Sequence, residues 1–212
     1  MIAFALAAAL MAQDVAPSET PEAGGLPACD RLESNDRHED CALQPVDGRE
    51  LVVTFTFADG EWGQNGRMEV NTGEGRLLQV FEFETESFLY PSLEDINVDG
   101  REEILVPLIT GNVNTDYAVF MGLDDGFLTD PFRTHGHTIE PAPHGMFVVH
   151  SRESAAAYWA EFFAFEDGTV NAIASVSISY EHSGEGEGPT CRLVEGGDDL
   201  GEDFYCGAVL TE

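Results

Sequence analysis

The chain of 212 residues contains no lysine; its fixed positive charges are nine arginines, set against forty aspartates and glutamates, for a formal net charge of -31. Without lysine there is no Schiff-base nucleophile and no amine base. A surface this negative repels phosphate backbones and anionic headgroups, so nucleic acid and membrane are poor partners and a basic protein is a good one. Acidity selected only for solubility or salt tolerance explains the same charge equally well. No G-x-S-x-G, H-E-x-x-H or Walker loop occurs. Carboxylates are too abundant for a catalytic pair to stand out. The expectation is therefore a binding protein and not an enzyme.

Cysteine is absent from the whole middle of the chain. Cys29 and Cys41 lie near one end of the globular region and Cys191 and Cys206 near the other. An even number behind an export signal points to disulfides, and local pairing is the simplest of the three possible connectivities. Closing the loop from Cys191 to Cys206 is worth roughly 3 kcal/mol in the chain-entropy model. No C-x-x-C pair supports a tetrathiolate zinc site.

The apolar run Ile2 to Met11 is followed by the polar Gln13-Asp14. It reads as a secretory signal over 1-12, although no basic residue precedes it. It is too short for the ~20 residues that span a bilayer. Gln13 stands where a lipoprotein carries Cys. Residues 13-28, rich in Pro, Glu, Ser and Gly, read as a linker. Residues 29-212 are left as a single β-rich domain, and a periplasmic or secreted location follows.

Period-two apolar alternation marks Leu51 to Phe57 and Arg76 to Phe83 as strands. Tyr117 to Met121 runs into Asp124-Asp125-Gly126, and Tyr158 to Phe165 into Glu166-Asp167-Gly168. Acid-Gly is a hairpin signal because the turn requires positive φ. Hairpin after hairpin predicts an all-β antiparallel fold, whether a meander, a barrel or a small propeller. Pro131, Gly136, Pro141, Pro143 and Gly145 make the histidine-rich stretch Arg133 to Glu140, with His144 beyond it, read as a loop, whereas Met146 to His150 reads as a strand. The two imidazoles of His135 and His137 do not complete a metal site. Ser183 to Pro189 reads as a mobile acidic loop.

One stretch carries a specific chemical signal. Asp95, Asn97, Asp99 and Glu103 fall at positions one, three, five and nine of a D-x-N-x-D-G loop, with Gly100 at the sharp turn. A hard dication wants six to eight oxygens, and this spacing converges them, with the Arg101 carbonyl as a further donor and its guanidinium outside. Calcium is the expected cofactor, and an Asx-rich turn without metal is the alternative. Val106 stands where an EF-hand has its bidentate Glu, and Glu103 to Ile109 reads as a buried strand, so the loop feeds a hairpin.

Asp95 to Val106 resembles the calcium loop of FG-GAP or VCBS repeats, with Glu103 replacing the usual Asp. Leu51 to Ser179 is similar in layout to periplasmic, propeller-like immunity proteins against lysozyme-like effectors of type IV secretion systems, a family related in shape to bacterial lysozyme inhibitors. The resemblance implies a small β-propeller-like domain that binds calcium and a basic, lysozyme-like cell-wall hydrolase, which it inhibits. Inhibitors of that shape insert a Ser-Gly-x-Tyr loop into the enzyme. Ser154 and Tyr158 resemble that loop, although the Gly is absent and the spacing is longer, and the contact it implies runs from Ser151 and Arg152 to Tyr158. A structural or adhesive calcium module without inhibitory activity is the second reading.

Overall fold

The computed structural model describes residues 25-34, 37-180, 188-197 and 199-210. The expected signal, most of the expected linker and the acidic stretch from Ser183 to Glu187 lie outside the described residues. Sheet I has the order β1-β2-β3-β4 and comprises β1 (Cys41–Leu43), β2 (Leu51–Asp59), β3 (Gln64–Thr72) and β4 (Leu77–Thr85). In sheet II, β5 (Ser92–Glu94), β6 (Glu103–Thr110), β7 (Thr115–Phe120) and β10 (Phe132–Gly136) lie in the order β10-β7-β6-β5. The small hairpin of β8 (Gly122–Leu123) and β9 (Gly126–Phe127) interrupts it in sequence. Sheet III runs in chain order through β11 (Thr138–Ala142), β12 (Met146–Arg152), β13 (Ala157–Glu166), β14 (Thr169–Ser179) and β15 (Thr190–Gly196). All strand pairs are antiparallel, so the chain is an all-β meander.

Side-chain alternation explains how the sheets stack. Successive residues of a strand point to opposite faces. From β6 and β7, Ile104, Val106, Ala118 and Phe120 pack with Val53, Phe55, Met68 and Val70 of sheet I. Leu105 and Val119, on the other face, pack with Phe147, Val149 and Phe163 of sheet III. The far side of sheet III sends Met146, Val148, Phe162 and Val176 against Tyr205. Tyr205 belongs to the helix α1 (Gly201–Leu210), which strand periodicity does not announce. The order is thus sheet I, sheet II, sheet III, helix. Pro107 sits in the doubly buried β6 at a register shift, where a missing ladder N–H is tolerated, and its carbonyl accepts a hydrogen bond from Thr85 Oγ1 at 3.1 Å.

Both local disulfides are present. Cys29–Cys41 is buried in the first core, and Cys191–Cys206 ties β15 to α1. Disulfides persist outside the reducing cytosol. Among the described residues no helix is long and apolar enough to cross a membrane. The turn Asp167-Gly168 has φ of 51° and 75° between the paired residues Glu166 and Thr169, the two-residue hairpin that acid-Gly predicts.

The histidine-rich stretch differs from its sequence reading. Instead of a loop it forms β10 and β11, edge strands of two different sheets, while the strand expected from Met146 to His150 is present within β12. Pro141 is accommodated because β11 has no neighbour on its outer side.

Gly66 on β3 lies under Phe83, and a Cβ there would come within 2.3 Å of that ring. Phe83 packs edge-on against Phe57 and stacks with Phe81, so moving it would disturb both contacts. Gly66→Ala should lower stability by about 1–3 kcal/mol. Chemical denaturation of the variant against the parent chain checks this; equal midpoints would contradict the packing.

Candidate calcium loop and partner-facing end

The loop 95-102 joins β5 to β6, which pair antiparallel with Glu94 opposite Glu103. It curls through two residues of positive φ, Val98 at 57° and Gly100 at 87°. A β-branched residue in the left-handed region is strained by about 1–3 kcal/mol, so the curl is held from outside. Asp95 accepts the N–H of Asp99 at 3.1 Å on Oδ1 and that of Gly100 at 3.0 Å on Oδ2. Asn97 Oδ1 also accepts from Asp99 N–H, at 3.1 Å, and Asp99 Oδ1 accepts from Arg101 N–H at 2.9 Å. The side chains at positions one, three and five therefore turn into the curl. The Arg101 guanidinium does not stay clear of the loop: it folds back to Asp99 Oδ2 at 3.1 Å and pairs with Asp124.

Glu103 closes the base. Its side chain is wholly buried, with Oε2 accepting Ile96 N–H at 2.9 Å and Oε1 accepting Gly122 N–H at 3.3 Å. Burial raises its pKa to about 7 against the pull of these two N–H groups, and the nearby Asp99 and Asp95 raise it further. Among the described residues no three His, Cys, Asp or Glu side chains gather as a metal cluster. The loop is held by hydrogen bonds of its own and, from outside, by the Arg101–Asp124 pair. Its chemistry still fits a hard cation, since the donor set is oxygen throughout and a carboxylate oxygen that accepts one N–H keeps a further lone pair.

A second support was not foreseen from sequence. Asp47 and Arg49, just before β2, form a buried ion pair, and Asp47 Oδ2 also accepts Glu102 N–H at 2.9 Å. The Arg49 guanidinium donates to the carbonyls of Glu102 at 2.7 Å and Gly126 at 2.8 Å and lies 4.5 Å above the Phe127 ring. Val46 N–H completes the clamp on Glu102 Oε2 at 2.6 Å. Sheet I thereby grips the exit of a loop that belongs to sheet II. A local Asp-Gly-Arg is the only trace of this in sequence, because the partners lie more than fifty residues away.

The other candidate residues lie at the opposite end of β6. Ser151 and Arg152 end β12, opposite Trp159 and Tyr158 on β13. Of the four candidates only Ser154, in the turn 153-156, is exposed. Arg152 donates Nε–H to Ser154 O at 2.9 Å and sits 5.4 Å over the Tyr158 ring. Tyr158 is half-buried, with Tyr180 edge-on at 5.6 Å and His137 at 6.2 Å. It props the turn. The turn is joined to the β6–β7 connection by Asn114, which donates Nδ2–H to Arg152 O at 3.0 Å and accepts Arg152 N–H at 2.9 Å. His135 pairs with Asp116, while His137 packs 6.1 Å from His150 with its Nδ1 buried and unpaired.

No protein-family model and no curated protein matches the chain. It is similar to a solved structure of a Xanthomonas Type IV Secretion System related protein, at 12% identity and a TM-score of 0.46, over 76% of this chain and 91% of that one.

The clamp has a pH signature. Burial acts to raise the Asp47 pKa, but hydrogen bonds from the Arg49 side chain and from the N–H groups of Glu102 and Arg49 outweigh it, giving about 2 instead of 3.8. A depressed carboxylate pKa stabilises fully above the unfolded value and loses that contribution as pH falls towards the folded one. Asp47 should contribute about 2 kcal/mol at neutral pH and shed it between about pH 4 and pH 2. Asp47→Asn should accordingly unfold more easily at pH 7, with the gap to the parent chain narrowing towards pH 2. A gap independent of pH would refute the ion-pair account.

Proposed function

We propose that the chain is an exported, calcium-stabilised binding protein that docks on a basic, lysozyme-like cell-wall hydrolase and inhibits it. The observation that carries the reading is a net charge of -31 on a chain cross-braced by two disulfides. Such a body suits fast, oriented capture of a basic secreted protein, since charge complementarity mainly accelerates association. The likeness of Leu51 to Ser179 to immunity proteins supplies the hydrolase, and the turn with Ser151, Arg152, Ser154 and Tyr158 is the contact it implies. In this reading Ser154 meets the enzyme, Arg152 and Tyr158 hold the turn in shape, and Ser151 anchors it in β12. The scaffold performs no chemistry of its own.

Calcium, in the same reading, is held by Asp95, Asn97, Asp99, the Arg101 carbonyl and Glu103. It would neutralise carboxylates that otherwise repel one another around Glu103 and displace the Arg101 guanidinium from Asp99. Its role is structural, bracing the entry to β6.

Calorimetric titration of the chelated protein with calcium chloride should show one site, and calcium should raise the melting temperature. A hundredfold excess over Kd adds about 2.7 kcal/mol. Asp99→Ala should lose both effects. Absence of heat with the parent chain, or equal binding by the variant, would remove calcium from the account. Separately, micromolar protein should inhibit a basic lysozyme or the hydrolases encoded beside its gene, and Ser154→Arg should weaken inhibition at least tenfold by placing a cation against a basic partner. If every hydrolase stays fully active, the structural calcium module takes its place.

A further inference from the structure

The end of the stack that carries the turn 153-156 also carries the most exposed tryptophan. Trp62, at the tip of the β2–β3 hairpin, is 73% exposed. It lines a shallow hollow of about 80 Å³ with Ile109, Glu61, Glu84 and Glu86. Ile109, Phe88 and Val113 are 49%, 43% and 45% exposed. Their segments are joined: Glu86 N–H donates to Leu108 O at 2.7 Å, Ser87 and Thr110 hydroxyls meet at 2.7 Å, and Asn114 bonds to Arg152. The hairpin tip of sheet I, the β6–β7 connection of sheet II and the turn 153-156 of sheet III thus share one end of the molecule.

A large aromatic side chain left mostly in water at a rigid turn gains little from folding, and aromatic residues dominate binding hot spots. The Trp62 turn is rigid: Gly60 N–H donates to Gly63 O at 2.9 Å, and Gly63 has a φ of 145° and lies against the Thr85 carbonyl, leaving no room for a Cβ. The acids Glu61, Glu84 and Glu86 around the hollow are exposed. A second copy of this chain would bring an identical acidic rim, and anionic lipid would be repelled likewise.

We propose that Trp62, flanked by Ile109 and ringed by Glu61, Glu84 and Glu86, is the energetic centre of the interface with a basic protein partner. That partner would present an apolar pocket edged by Arg or Lys. The inference rests on the basic-partner reading above and moves its hot spot from the turn 153-156 to the hairpin tip. The calcium loop provides an internal control, because β6 separates it from this end by eight residues, about 25 Å at strand rise.

The test measures binding of immobilised protein to two probes, a basic lysozyme and a basic protein of similar charge that is not a hydrolase, with Trp62→Ala, Trp62→Phe and the triple change of Glu61, Glu84 and Glu86 to Gln. Expected for the lysozyme are a loss of thirtyfold or more with Trp62→Ala, substantial retention with Trp62→Phe, and a slower, less salt-sensitive association with the triple variant. Melting temperatures should not change, since none of these side chains is buried. Lysozyme binding within twofold of the parent for Trp62→Ala would overturn the inference and leave the hydrolase reading standing. Trp62-dependent binding of the non-hydrolase alone would support the inference and overturn the hydrolase reading. Binding of neither probe, or self-association in sedimentation that Trp62→Ala abolishes, would overturn the basic-protein docking site.

Discussion

The central strand β6 of sheet II is buried on both faces, and the rest of the molecule depends on that constraint. A strand with sheet I on one side and sheet III on the other has no wet face, so β6 is apolar at consecutive positions from Ile104 to Leu108. Any polar group within such a strand must find its partner inside the protein, because an unpaired one costs about 1–3 kcal/mol or more. Glu103 at the head of β6 meets this demand through the N–H groups of Ile96 and Gly122, and Pro107 meets it at an irregularity in the ladder. Only the ends of the sheet are left for chemistry.

The two ends differ in character. At one, carboxylates crowd around a curl whose exit at Glu102 is gripped by the Asp47–Arg49 pair just before sheet I, so the end of the loop is held by another layer. At the other, connections from all three sheets meet, with apolar side chains in water and acids around them. The length of β6 lies between.

Much of the scaffold was legible in the sequence, because the signals concerned are local. Alternating apolar residues report a strand with one wet face, as in Leu51 to Phe57, and a continuous run such as Ile104 to Leu108 reports a strand with none. Asp167-Gly168 supplies the positive φ that a two-residue hairpin needs, and two close cysteine pairs are most cheaply joined to themselves. The curl of the loop from Asp95 was readable for the same reason, since its hydrogen bonds span only a few residues.

Contacts between layers were decided by the tertiary structure alone. Nothing near Arg49 announces that its guanidinium will meet carbonyls at Glu102 and Gly126, and nothing in the loop shows that Glu103 will be sealed from water by Gly122. The prolines and glycines around His135 and His137 signal a break in chain direction, and only the packing shows the break to be a passage from sheet II to sheet III. The helix α1 was hidden because the far face of sheet III and a disulfide to β15 hold it, not an amphipathic pattern of its own. Trp62 resembles any core aromatic in sequence. Its exposure follows from the layer geometry, since side-chain type sets the tendency to bury and only the stacking of sheets sets which positions have something to bury against.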